Sequence, residues 1–173
     1  MDSQLQQLFL TEIRHQCRFA RMAYIDFFAA LNNLQTDQVW YSLQSFLTAA
    51  ANISKIFWPI KRAPYKERGE FLRNLLNVDQ SAPFRIRDPR NHFEHFDERL
   101  DDWFLQSTHH NIIDTSIGGD NIINGPIDFM RFFNNERFVF RFRGDEYPIN
   151  PIRDALEALV AKVEVELDKP ILP

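Results

Sequence analysis

The chain has 173 residues, 45% of them hydrophobic and 25% charged, which suits one soluble globular domain with a buried core and excludes a disordered or fibrous protein. A formal net charge of -4 gives no general attraction for nucleic acid, and no apolar run reaches the roughly 18 residues of a membrane span. Cys17 is the only cysteine, which excludes an intrachain disulfide and a cysteine-rich zinc site, and the polar opening Met-Asp-Ser-Gln carries no signal-peptide pattern, so a cytoplasmic protein away from membranes is expected.

Taken in chain order, Leu5, Leu8, Phe9, Ile13, Ala20, Tyr24, Phe27, Phe28 and Leu31 recur at steps of three and four and predict one long amphipathic helix over 4–34. Thr36 or Asp37 can cap a second helix over 37–57, with Val39, Trp40, Leu43, Phe46, Leu47, Ala50, Ile53 and Phe57 inward. It stops where Pro59 disfavours helical geometry in the residue before it. The short link makes the two helices antiparallel neighbours. A loop through Pro64 leads to a shorter helix over 66–78 with Phe71, Leu72, Leu75 and Leu76 inward, broken by Ser81-Ala82-Pro83.

A further helix is predicted over 88–106, with Asp88 as its cap, Pro89 in the first turn, and Phe93, Phe96, Leu100, Trp103 and Phe104 on its buried side. From Asn111 the pattern changes: isoleucines punctuated by Gly118-Gly119 and Gly125-Pro126 read as short extended segments and turns. Phe138, Phe140 and Phe142 alternate with Arg137, Val139, Arg141 and Arg143, a strand closed by a Gly144-Asp145 turn into 146–149. Asn150 and Pro151 then open a last helix over 150–167. The fold class is mainly α: a single domain, 1–173, of about five helices with a β-rich insertion, 111–149, before the last. The 17 phenylalanines fall at helical or alternating spacing, which assigns them to a core or subunit interface rather than to a base-stacking platform.

The chemistry concentrates in Asp88-Pro-Arg-Asn-His-Phe-Glu-His-Phe-Asp-Glu-Arg99. Arg90 is followed directly by the polar Asn91 and, five residues on, by His95. An arginine presents planar, permanently charged donors to phosphate oxygens, and a histidine moves protons near neutral pH. Together they are the minimum kit for cleaving RNA without a metal. At about 100° per residue, Asn91 and His95 share a helix face, about 40° apart. Arg90 lies about 140° from His95, a geometry that a second copy of the chain completes more naturally than one copy alone. A helix start also offers free backbone amides to an anion.

This motif, an arginine, a polar residue and a histidine after three more positions, resembles the signature of the HEPN superfamily. The resemblance covers the motif closely and the two N-terminal helices loosely; residues 111–149 lie outside that family's common core. It implies a HEPN-like helical bundle and a metal-independent endoribonuclease that needs no cofactor and acts on RNA as a homodimer with an intersubunit site, in the toxin or antiphage-defence class, where an antitoxin or regulatory partner is expected. His95 would be the general acid/base, Arg90 the phosphate clamp and Asn91 the orienter, with His92 and Glu94 beside them.

Eight basic and four acidic side chains lie between Lys61 and Arg90, a local charge of +4 against -8 for the remainder. Within that block Lys61, Arg62, Arg85 and Arg87 are candidate RNA contacts, and a solvated surface is the alternative account. Taken singly, Arg90 can pair with Glu94 one turn on, and His95 can be an ordinary hydrogen-bonded histidine. His92, His95 and Glu98, with His109 and His110 downstream, raise the option of a metal-dependent hydrolase, but their spacing is not that of a His-Glu-x-x-His helix, so no metal is expected. A non-catalytic nucleotide- or partner-binding module is the remaining alternative. The acidic run from Glu94 to Asp102 and the arginine face of the 137–143 strand read as solvated surface.

Overall fold

The computed structural model describes residues 1–60, 63–86, 88–119 and 127–170, and for residues 89 and 90 the backbone only. Helix α1 (Ser3–Asn32) and helix α2 (Thr36–Phe57) form an antiparallel pair: Asn52 donates to Gln16, and Tyr24 meets Phe46. The last helix, α6 (Ile149–Leu167), lies antiparallel along α1, where Glu157 faces Arg21 and Glu164 faces Arg14 and Arg18. These three elements build the core around Leu10, Ile13, Phe27, Leu43, Phe46 and Ile53, all buried. The predicted stripe on α1 is only partly inward, because Leu5, Leu8 and Phe28 are exposed.

Helix α3 (Tyr65–Leu75) ends earlier than its apolar pattern predicts. Asn77 takes a left-handed conformation (φ 47°), and the Val78 amide reaches back to the Arg73 carbonyl, a closing turn that leaves Leu76 buried without extending the helix. Gly69 is needed where α3 meets the end of α2: a Cβ there would stand 2.5 Å from the Phe57 carbonyl oxygen.

The predicted 88–106 helix is two helices, α4 (Asp88–Glu94) and α5 (Phe96–Gln106), separated by His95 at φ -114°, ψ 37°. Leu100 and Phe104, expected inward, are exposed on α5, and Trp103 is buried. Two expected caps also differ. Thr36 lies within the first turn of its helix, and Asn150 accepts a hydrogen bond from the Tyr24 hydroxyl instead of capping α6. Asp2 is a true cap, its carboxylate accepting from the Gln4 and Leu5 amides.

Among the described residues the insertion holds six short strands: β1 (Ile112–Ile113), β2 (Ser116–Gly118), β3 (Asp128–Phe129), β4 (Arg131–Asn134), β5 (Val139–Phe142) and β6 (Asp145–Pro148). β1 pairs with β3 in parallel. The larger sheet runs β2-β4-β5-β6, with β2 parallel to β4 and the other pairs antiparallel. The predicted 137–143 strand is shortened to β5, because Arg137 and Phe138 belong to the preceding turn and Phe138 has φ 57°. The β5–β6 turn is Arg143-Gly144, both at positive φ, which matches the right-handed twist of a two-residue hairpin. One sheet face lies on the helices. Phe133 meets Phe27 edge to face at 5.0 Å, and the Trp40 indole stands against Phe140 and donates to the Thr115 carbonyl. Among the described residues, no helix is long and apolar enough to cross a membrane.

Candidate functional site

Helix α4 carries the motif and has two unlike faces. Its inner face is His92 and Phe93, which dock on the β5–β6 hairpin. The His92 ring lies flat on Phe142, centroids 4.2 Å apart and planes 7° from parallel, and Phe93 stacks on Phe140. His92 Nε2 stands 3.1 Å from the Tyr147 hydroxyl and 3.7 Å from an Asp145 carboxylate oxygen, with only 12% of the side chain exposed. Its Nδ1 is buried without a hydrogen-bond partner. Burial lowers the His92 pKa from its ordinary value, helped by the Arg99 and Arg143 charges and opposed by Asp145 and Asp88. The same burial raises the Tyr147 hydroxyl, which stays protonated.

The outer face is different. Asn91 and Glu94 are exposed, and so is His95, with 55% of its side chain accessible. The Asn91 carbonyl accepts the His95 amide at 3.0 Å, which fixes the two residues one turn apart. His95 then leaves helical geometry, and its own carbonyl accepts the Arg99 amide as α5 begins. The imidazole Nδ1 lies 3.7 Å from Glu98, a carboxylate able to hold the ring's orientation. The expected share of one helix face therefore ends at a break. The break also leaves α4 only seven residues long, so its aligned peptide dipoles offer an anion less than a long helix would.

For Arg90 the structure gives the helical backbone, and its expected role as clamp lies outside the described side chains. Lys61, Arg62 and Arg87 also lie outside the described residues. Arg85 is exposed, stands over the Trp58 ring and donates to the Gln80 carbonyl. It lines a hollow of about 330 Å³ with Lys66, Arg73, Glu70 and Trp58. Lys66 and Arg73 belong to the basic block, but their convergence with Arg85 depends on α3 crossing the end of α2, which no local spacing reveals.

The two motif histidines differ in setting: His92 packs on the hairpin, and His95 is exposed beside Glu98. Among the described residues no group of three His, Cys, Asp or Glu side chains is placed to hold a metal ion. His109 and His110 are exposed, the latter against Phe104. The arginine face of the 137–143 segment is partly built into ion pairs: Arg137 and Arg141 both reach Glu146, and Arg143 donates to Gln106. Comparison of the chain with protein-family models, curated proteins and solved structures finds no match.

Proposed function

We propose that this chain is a HEPN-like, metal-independent endoribonuclease, in the toxin or antiphage-defence class, acting as a homodimer. The observation that carries the reading is the open pair at the α4–α5 break: Asn91 and His95 are held one turn apart by a backbone hydrogen bond and are both accessible to a large substrate. His95 takes the proton of the 2′-hydroxyl or returns one to the departing 5′-oxygen. That oxygen leaves as the 2′-oxygen bonds to phosphorus, giving a cyclic phosphate. Arg90 offsets the charge gathering on the phosphate oxygens, and Asn91 orients the phosphate or the imidazole. A second copy brings the second set of these groups. The basic hollow of Lys66, Arg73 and Arg85 attracts the backbone of the same RNA, while the acidic remainder of the surface keeps the attraction local.

His92 has a different role in this reading. Its burial and its stacking on Phe142 make it the anchor that holds α4 against the hairpin, so that the outer face is presented in one orientation.

Incubating the purified protein with single-stranded RNA in EDTA tests the proposal. Cleavage leaving cyclic-phosphate ends is expected, and His95→Ala should abolish it without altering the circular dichroism spectrum. Cleavage that survives His95→Ala rejects the assignment. The second reading, a non-catalytic binding module, is favoured by the exposure of the His95 side chain on the single chain, and it predicts RNA or nucleotide binding with no cleavage under any condition.

A further inference from the structure

A second site lies away from the motif, where the start of α1 meets α3. Leu5 and Phe9 from α1, Pro64 before α3, and Tyr65 and Phe71 from α3 wall a mainly apolar pocket of about 510 Å³. That volume falls within the range of small-molecule sites, which pair apolar walls with a few placed polar groups. The polar group here is Arg68. Its guanidinium lies over the Phe9 ring at 4.5 Å and near the Tyr65 ring at 5.8 Å, and its Nε is buried without a hydrogen-bond partner. Its hydrogen bond to the Ile56 carbonyl is long, 3.5 Å. No carboxylate of the described residues pairs with it, in contrast to the arginines along α1, which reach Glu157 and Glu164. Glu67 supplies a carboxylate to the lining, but adjacent residues on a helix do not face each other, and the two form no ion pair.

A cation held partly out of water is ordinarily paired, because desolvation without a counter-charge is costly. Burial accordingly lowers the Arg68 pKa from its ordinary value. The rings fix the guanidinium in place, so an incoming anion meets donors already oriented. The apolar walls require the rest of the ligand to be hydrocarbon.

From this geometry we infer that the α1–α3 pocket binds an amphipathic monocarboxylate, an acyl chain lying against Leu5, Phe9 and Phe71 with its carboxylate on Arg68. The site is independent of the motif and of the RNA reading.

Isothermal titration calorimetry with dodecanoate, below its micelle concentration, and with 1-dodecanol as the uncharged analogue tests the inference. The native protein should bind dodecanoate saturably and at least about tenfold more tightly than dodecanol, since a close charge pair held partly out of water contributes on that order. Arg68→Met keeps the aliphatic stem on Phe9 and should reduce dodecanoate to the affinity of dodecanol. Leu5→Trp, at a half-exposed position, should fill the pocket and abolish binding of both. No saturable binding to the native protein, equal affinity for the acid and the alcohol, or unchanged binding in Leu5→Trp would each overturn it. The acid–alcohol comparison needs no variant, so the test stands even if Arg68→Met fails to fold.

Discussion

The α1–α2 pair and the α4–α5 segment are both amphipathic, yet they use their apolar residues in opposite ways. The first is two long helices whose inward faces are almost wholly buried, from Leu10 to Ala30 and from Val39 to Phe57. The second is two short helices with a break between them, in which Trp103 is buried while Leu100, Phe104 and Leu105 stay exposed. Long helices gain most of their stability from a continuous packed face. A broken segment gains less, but the break leaves its polar residues exposed. On the proposed function, stability and chemistry are thus divided between the two regions.

The division can be tested from its largest consequence downward. On the proposed function, His95→Ala removes a proton-transferring group and should lower RNA cleavage by about 10²–10⁴-fold. The melting temperature should hardly move, because the side chain is exposed and its polar partner among the described residues is the exposed Glu98; a large loss of stability would mean that His95 is structural. Phe133→Ala should do the reverse. Its ring is fully buried between Phe27 and Phe138, edge to face with both, and removal should cost about 3–5 kcal/mol in urea unfolding. RNA cleavage by the fraction that remains folded should be unchanged.

His92 lies between these extremes and gives a pH test. Its folded-state pKa is below the unfolded value of 6.5, so the unfolded chain binds the proton more readily. The stabilising contribution is then fully present above pH 6.5 and is lost as the pH falls through the folded-state value. Melting temperature should fall on acidification from pH 7 to pH 5, and His92→Gln, which cannot charge, should flatten that dependence. An equally steep fall in the variant would place the effect elsewhere. A separate test concerns Cys17 in the α1 core. Burial, with Glu157 nearby, pushes its thiol up to about 12, so a thiol reagent at pH 8 should modify the native protein far more slowly than the urea-unfolded chain.

Much of the helical layer was legible in the residues. The starts and ends of α1 and α2 fall within two residues of the periodic pattern, because a long apolar stripe and a Pro59 stop are local signals. The break at His95 was not legible. Phe93, Phe96, Leu100, Trp103 and Phe104 keep helical spacing straight across it, and the departure arises because Phe93 docks on Phe140 while Phe96 packs beneath Arg131, on different strands of the sheet. The different depths of the two histidines were likewise not legible. His92, expected beside the site, is mostly covered by the hairpin, and nothing in its spacing distinguishes it from His95, since only the hairpin decides which one is covered.

The amino-acid sequence by itself determined that the chain is mainly helical, that a strand-containing insertion precedes the last helix, and that an arginine, an asparagine and a histidine stand within one six-residue stretch. These follow from periodicity, capping chemistry and adjacency, all of which act over a few residues. Only the tertiary structure decided that the motif helix is cut at His95, that Lys66, Arg73 and Arg85 share one hollow, and that Arg68 stands in a mainly apolar pocket with no ion-pair partner among the described residues. Each of those depends on which distant segments meet, and packing between elements is settled by shape and burial across the whole chain rather than by local spacing.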